Sequence, residues 1–439
     1  MAKKRYTRAL IHGLMVLGLT LPVCGGAAGA EVTLFDNLGT WHHQITTKGD
    51  LAQKYFDQGL RLVYAFNHEE AIAAFTEASR LDPEAPMPYW GVALSLGPNI
   101  NAAMDAKAES RAVEAVQKAT ARLAHATAKE RAYVEALAAR YSLKKSPTRK
   151  AKDEAYAKAM RRLAREYPDD ADAAVLLAEA LMVLRPWDYW RADGRPQPGT
   201  EEIVTTLEAA ITQQPDHPGA CHYYIHAVEA SPEPQRGLPC AKRLPSLMPG
   251  AGHLVHMPAH IYMRVGLYRE ASERNAKAAT VDREYLLHHP LEGNYASGYY
   301  AHNLHFLNAS LVMEGRSAEA LQVARDLLSK VSVSEIVKEP SLEWYAPTLL
   351  LTMARFGQWG ELIRQPPPPR ELRYTTGLWH YVRGLAFAAT TRFGSAEGEL
   401  SNLRKSVKGF ARANTAEAKI SRTLLKIAER VLAGEIAAR

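Results

Sequence analysis

Apolar positions along this chain seldom alternate in the manner of a strand. Ala-rich stretches are instead broken at intervals by Gly and Pro, which is the pattern of a helical chain. The clearest stretch is Ala52–Ala85, AQKYFDQGLRLVYAFNHEEAIAAFTEASRLDPEA, 34 residues long. It reads as two helices. Gly59 lies in the first, Ala71, Phe75 and Ala78 in the second, and Pro83 follows them. Asn67 is placed to cap the second helix, with Glu70 three residues on.

Further units follow on the same template. They begin at Pro86, in Glu130–Pro168 (with an insertion near 144–150), at Ala171, at Pro218, and near Gly252, Ala301, Glu343 and Gly377. The Ala171 unit is interrupted by residues 185–199, and its second helix, Glu201–Gln214, ends at Pro215. Gly266, Gly315 and Gly357 sit at turns between paired helices, and Ala271, Ala320 and Leu362 stand five residues beyond them. Pro366–Pro369 is a stiff connector, and Thr415–Ala437 a helix that closes the array.

The Ala52–Ala85 unit resembles a tetratricopeptide repeat, whose small residues let two antiparallel helices pack closely. The resemblance implies an all-α, right-handed α-solenoid of about eight or nine helix pairs. It also implies that the first helices of successive units line a concave groove, through the second, fifth, ninth and twelfth residues of each unit. The chain then divides into 1–30, a lead-in segment 31–51, N-terminal units 52–215, central units 216–315, and C-terminal units with a closing helix 316–439.

Residues 216–263 carry six of the sixteen histidines. His222, His226 and Glu229 are spaced i, i+4, i+7. His253, His256 and His260 are spaced i, i+3, i+7, and His302 and His305 i, i+3. Each set lies on one face of a helix. With the register fixed by prolines, turn glycines and alanines, all eight fall on groove-facing positions of three consecutive units. Neutral imidazole is the commonest metal ligand, and two of them one turn apart supply two ligands to one ion. The expectation is one or two transition-metal ions, copper first among copper, zinc and iron, with Glu229 as ligand or general base. Paired HxxxH helices look like dicopper oxidase sites at the level of pattern. Because eight candidates exceed one tetrahedral site, either two ions bind or some side chains orient the others.

Other residues are weighed around this set. His217 stands at the rim of the groove, His68 in a capped helix, His288 and His289 in a linker, and His380 on a packing position. Tyr223, Tyr224, Tyr262, Tyr299 and Tyr300 gather in the same units. Trp90 and Trp344 fall on groove positions, and Trp187 and Trp190 lie in the insertion 185–199, which is placed to fold over as a lid.

Composition narrows the setting. Lys3, Lys4, Arg5 and Arg8 precede an apolar stretch, Ala9–Val23, and a small-residue site at Ala28-Gly29-Ala30. This is the form of a secretory signal peptide cleaved after Ala30, with lipidation at Cys24 as the other reading. Removing the four basic residues takes the formal charge from +7 to +3, which gives no case for nucleic acid. No second apolar run is long enough for a membrane span. Cys221 and Cys240 fall on two helices of one hairpin, and an oxidising compartment permits a disulfide between them; two small buried thiols is the other reading. There is no Gly-rich phosphate loop, CxxC, HExxH or G-x-S-x-G. The central segment also looks like that of exported bacterial repeat proteins. Two functions follow: a groove metal site, serving a metal-dependent oxidase or hydrolase acting on a small molecule or peptide, or an envelope scaffold holding a peptide or protein without metal.

Overall fold

The computed structural model describes residues 32–141, 148–288, 295–411 and 414–439. The expected signal peptide, Cys24, most of the insertion near 144–150, His289 and the side chain of His288 lie outside the described residues. Among the described residues all regular structure is helical apart from one isolated bridge, Trp190 to Pro196.

From Leu34 onward the chain is one compact solenoid of tetratricopeptide-type hairpins. Nine helix pairs follow one another among the described residues, each helix packed on its sequence neighbour. The first pair is Asp50–Tyr64 with His68–Leu81, and Ala171–Val183 with Thr200–Gln213 is the fourth. The fifth is Pro218–Val228 with Leu238–Leu247. In the sixth, Gly252–His256 and Pro258–Val265 together pair with Tyr268–His288, and in the seventh Ala301–Glu314 pairs with Ser317–Leu328. Ala416–Ala438 closes the array by packing on Arg373–Ala389 and Phe393–Gly409.

Small residues are what allow the hairpins to approach. A Cβ at Gly59 or at Gly91 would sit 2.7 or 2.5 Å from the ring of Phe75, so one aromatic from the first hairpin seats on two helix backbones at once. Phe75 is fully buried, worth about 1.5–3 kcal/mol of transfer free energy. Three turn glycines, Gly266, Gly315 and Gly357, take φ of 81°, 75° and 66°, the left-handed conformation that ends the first helix of a pair. Two expectations shift. Trp344 lies in a short 3-10 turn, Pro340–Tyr345, ahead of the helix Thr348–Arg355, and so is not on a groove-facing helix. Cys221 and Cys240 are joined as a disulfide between the two helices of the fifth pair.

The array also folds back on itself. The first helix packs against Pro218–Val228, four hairpins further on. The lead-in segment runs along successive first helices. Trp41 Nε1 donates to Asp172 Oδ1, His43 Nδ1 bonds Asp172 Oδ2 at 2.7 Å, and the Thr46 backbone N–H donates to Glu130. The inner side of the first helices in the N-terminal hairpins is therefore occupied by the chain's own lead-in residues.

Candidate metal centre

The helix Pro218–Val228 begins with Pro218 in its first turn and His217 as cap, the His217 Nδ1 accepting from the Ala220 N–H at 3.3 Å. His217 Nε2 lies 3.1 Å from Asp172 Oδ1, so this rim histidine is spent on the helix start. One turn later His222 and His226 project from the same face. His253, His256 and His260 come from the next first helix, and His302 from the start of Ala301–Glu314, directly after a π-helical turn at Tyr295–Tyr300.

The structure gathers these six imidazoles into two adjacent groups. The ligand atoms of His222, His226 and His253 lie within 4.8 Å of one another, and so do those of His256, His260 and His302. The groups touch, with His226 and His260 ring centroids 5.2 Å apart and His253 and His256 5.8 Å apart. The five histidines from the first two helices are 0–6% exposed, and His302 is half-buried.

Most of these rings are oriented by a bond at Nδ1. His222 Nδ1 donates to the Tyr64 carbonyl at 2.6 Å, and His256 Nδ1 to Asn275 Oδ1 at 2.6 Å. His226 and His260 donate from Nδ1 to the two oxygens of Glu229, at 2.8 and 2.7 Å. Each of these rings then carries a bare lone pair on Nε2. Among the described residues, Nε2 of His226, His256 and His260 and Nδ1 of His253 are buried with no hydrogen-bond partner. Leaving such an atom unpaired costs about 1–3 kcal/mol, and four stand together. His222 and His253 face each other Nε2 to Nε2 at 3.2 Å. Two nitrogens each about 2.0–2.1 Å from one tetrahedral ion would be roughly 3.3 Å apart, so this pair has the spacing of neighbouring ligands.

Electrostatics agree with neutral rings. Burial, and then the neighbouring imidazoles, hold His222, His253, His256 and His302 well below the ordinary histidine range. Burial also lowers His226 against the pull of Glu229. Burial alone would raise the Glu229 carboxyl, but the two imidazoles it faces outweigh that and hold it well below the usual carboxylate range. With both oxygens committed to Nδ1–H groups, Glu229 acts on the histidines from behind rather than as an open base. His305 packs its ring on Tyr345 at 5.3 Å and joins neither group.

Two phenyl rings cover the groups. Phe66 lies against His222, His226 and His253, with centroids 4.5, 6.2 and 5.6 Å away. Phe306 lies against His256, His260 and His302, at 4.9, 4.5 and 4.9 Å. Trp187, from the insertion, sets its edge on His226 at 5.0 Å, while Trp190 Nε1 donates to the Ala227 carbonyl at 2.7 Å. Tyr299 lies 4.9 Å from His253. Tyr223 packs on His222, with centroids 5.3 Å apart, and on Phe66, whereas Tyr224 pairs with Glu208.

Sequence reasoning missed Phe66, Tyr64, Asn275 and Phe306. A signal existed for Phe66. It stands five residues before Ala71, where the other hairpins carry Gly266, Gly315 and Gly357, and it takes φ 59°. A phenylalanine in a turn-glycine position is what aims this ring at the imidazoles. A further group of possible ligands, His43, Asp170 and Asp172, is a hydrogen-bond hub instead. Asp172 already accepts from Trp41, His43 and the Tyr64 hydroxyl.

No known protein family and no curated protein matches this chain. Among solved structures it is similar to the APC/C hetero-tetramer Cut9-Hcn1, at 11% identity and TM-score 0.37, covering 86% of this chain and 77% of that one. It is also similar to the human IFIT1 dimer with PPP-AAAA, at 13% identity and TM-score 0.34, covering 82% and 73%. The fold assignment rests on the hairpins described above.

Proposed function

We propose that this protein is an exported metalloprotein that binds two transition-metal ions, one in each imidazole triad, and that the metal is copper. The observation that carries the reading is the set of four buried, partnerless imidazole nitrogens, on His226, His253, His256 and His260 of two neighbouring first helices, three of their rings anchored from behind at Nδ1. Metal-binding histidines are held in this way, with the second nitrogen tied to a carbonyl or carboxylate.

Donor chemistry selects the metal. Six imidazoles offer no thiolate, and the one nearby carboxylate is committed to the Nδ1–H groups of two of them. Magnesium calls on oxygen ligands and non-haem iron on a carboxylate beside its histidines, whereas an all-imidazole set suits copper and zinc, and also nickel. Two neighbouring dications repel four times as strongly as two monocations at the same separation, and no free anion lies between the triads to offset it. Copper, which is monovalent when reduced, fits such a pair better than zinc. Redox chemistry is accordingly favoured over hydrolysis. Glu229 serves as the brace of both triads. The scaffold alternative is disfavoured because the histidines are buried and the lead-in segment covers the inner helices. Export belongs to the same reading, and the Cys221–Cys240 disulfide supports it.

The test is elemental analysis of protein prepared without a His tag, before and after reconstitution. Two coppers per chain are expected. Binding of zinc in preference to copper would turn the reading towards a hydrolase. Less than about 0.2 equivalents of every transition metal would overturn it.

A further inference from the structure

We propose that the copper pair binds dioxygen between the two triads, and that Glu229 is the positioning residue that fixes their separation for it. The inference rests on the copper reading above and adds to it a ligand and a role for the space between the ions.

Glu229 is a strut across the boundary. It accepts from His226, a member of one triad, and from His260, a member of the other. A carboxylate shared in this way does more than orient two rings, because it couples the positions of two ions that share no ligand. The rings that meet at this boundary, His226 with His260 and His253 with His256, are within 6 Å of one another. Each triad offers three nitrogens. Three nitrogen donors would hold reduced copper and leave it able to take a further ligand.

The surroundings select what enters. Phe66 and Phe306 cover the two triads, Tyr299 flanks His253, and the imidazoles of the first two helices are almost fully buried. The site meets solvent beside Trp187, which is 50% exposed, and at half-buried His302 and Phe306. Such a lining suits a small, neutral, apolar molecule. Dioxygen has that character on arrival and becomes anionic only where two metal charges await it.

The step balances without a further co-reactant. Two Cu(I) ions give one electron each to one dioxygen, which becomes a bridging peroxide dianion between two Cu(II) ions. The O–O single bond is kept, no proton is taken up, and lowering the dioxygen pressure reverses the step.

The experiment uses the full chain loaded with two coppers, reduced by ascorbate under argon, freed of reductant and then mixed with dioxygen. Expected are uptake of one dioxygen per copper pair, a near-ultraviolet charge-transfer absorption, and no EPR signal, because two bridged Cu(II) ions couple. Glu229→Gln keeps the shape but offers one acceptor and one donor where two acceptors stood. Loaded to two equivalents under excess copper, since losing this anchor should weaken binding at both triads by about 10–100-fold, that variant is expected to form an adduct at least about tenfold shorter-lived, with Cu(II) EPR intensity returning as it decays. Reduced protein that takes up no dioxygen, or that yields two uncoupled Cu(II) signals, overturns this inference and leaves the copper reading intact. An adduct in Glu229→Gln indistinguishable from the parent's overturns the role of Glu229. Failure to load copper overturns the earlier reading instead.

Discussion

Replacing Phe66 by glycine separates two demands that meet in one residue. The backbone there has φ 59°, which costs a residue with a Cβ about 1–2 kcal/mol and glycine nothing. The side chain is 3% exposed, and truncating a buried phenyl costs about 3–5 kcal/mol. The extra freedom of glycine in the unfolded chain removes roughly another 0.5–1 kcal/mol. The sum is a loss of about 1.5–5 kcal/mol for Phe66→Gly. Thr391 is the control, since it occupies the same turn position with φ 60° but is exposed and far from the imidazoles. Thr391→Gly gains the same backbone relief and loses almost no packing, so it should be neutral to about 1 kcal/mol stabilising. Urea titrations of the metal-free proteins, with the disulfide intact, measure both. Copper-loaded protein adds a second readout. Removing the ring opens the His222, His226 and His253 triad, and a competing chelator should strip copper faster by roughly an order of magnitude. If Phe66→Gly matched the parent in stability and in release rate, the ring would be neither packed nor protective, and the account of this turn would be refuted.

Two further outcomes test other parts of the structure. Asn275→Ala removes the acceptor that orients His256, so one of the two coppers should bind about 10–100-fold more weakly while the other is unchanged; a chelator titration showing two unaltered affinities would sink that role. Burial pushes the Glu179 carboxyl up to about 7 from 4.5, so the folded chain holds a proton there that the unfolded chain has released. Unfolding therefore releases a proton across that window, and stability should fall by up to about 3 kcal/mol as pH rises from 4.5 to 7. Glu179→Gln should flatten that part of the slope in urea midpoints taken across the window, while Asp282, also raised to about 7, continues to contribute in the same direction.

Much of the site was legible because helical period and repeat register are both local. Prolines, turn glycines and alanines set the phase, and that phase brought His222, His226, His253, His256, His260 and His302 to one place. Local period does not say where along its axis a helix diverges from its neighbour, and so His305, one turn beyond His302, meets Tyr345 instead. Nor does it say what a carboxylate will find. Glu229 shares the face of its histidines, but lying three residues after His226 and opposite His260 it meets two Nδ1–H groups first. The Tyr64 carbonyl was out of reach of such reasoning for a different reason. Its contact with His222 spans 158 residues and exists only because the solenoid folds back on its first hairpin.

The repeat supplies the positions of the imidazoles, but the features particular to the site come from where the repeat is broken. Of the three non-glycine residues with positive φ among the described residues, Phe66 and Trp187 both touch His226, and Thr391 lies elsewhere. The insertion 185–199 carries Trp187 and Trp190 onto the histidine-bearing helix. The π turn Tyr295–Tyr300 delivers His302, and Pro258 interrupts the helix between His256 and His260. Each of these features costs stability relative to a regular hairpin, by about 1–3 kcal/mol for a strained backbone residue. Their concentration around six imidazoles is what is expected when geometry at a site is held against the local preferences of the fold.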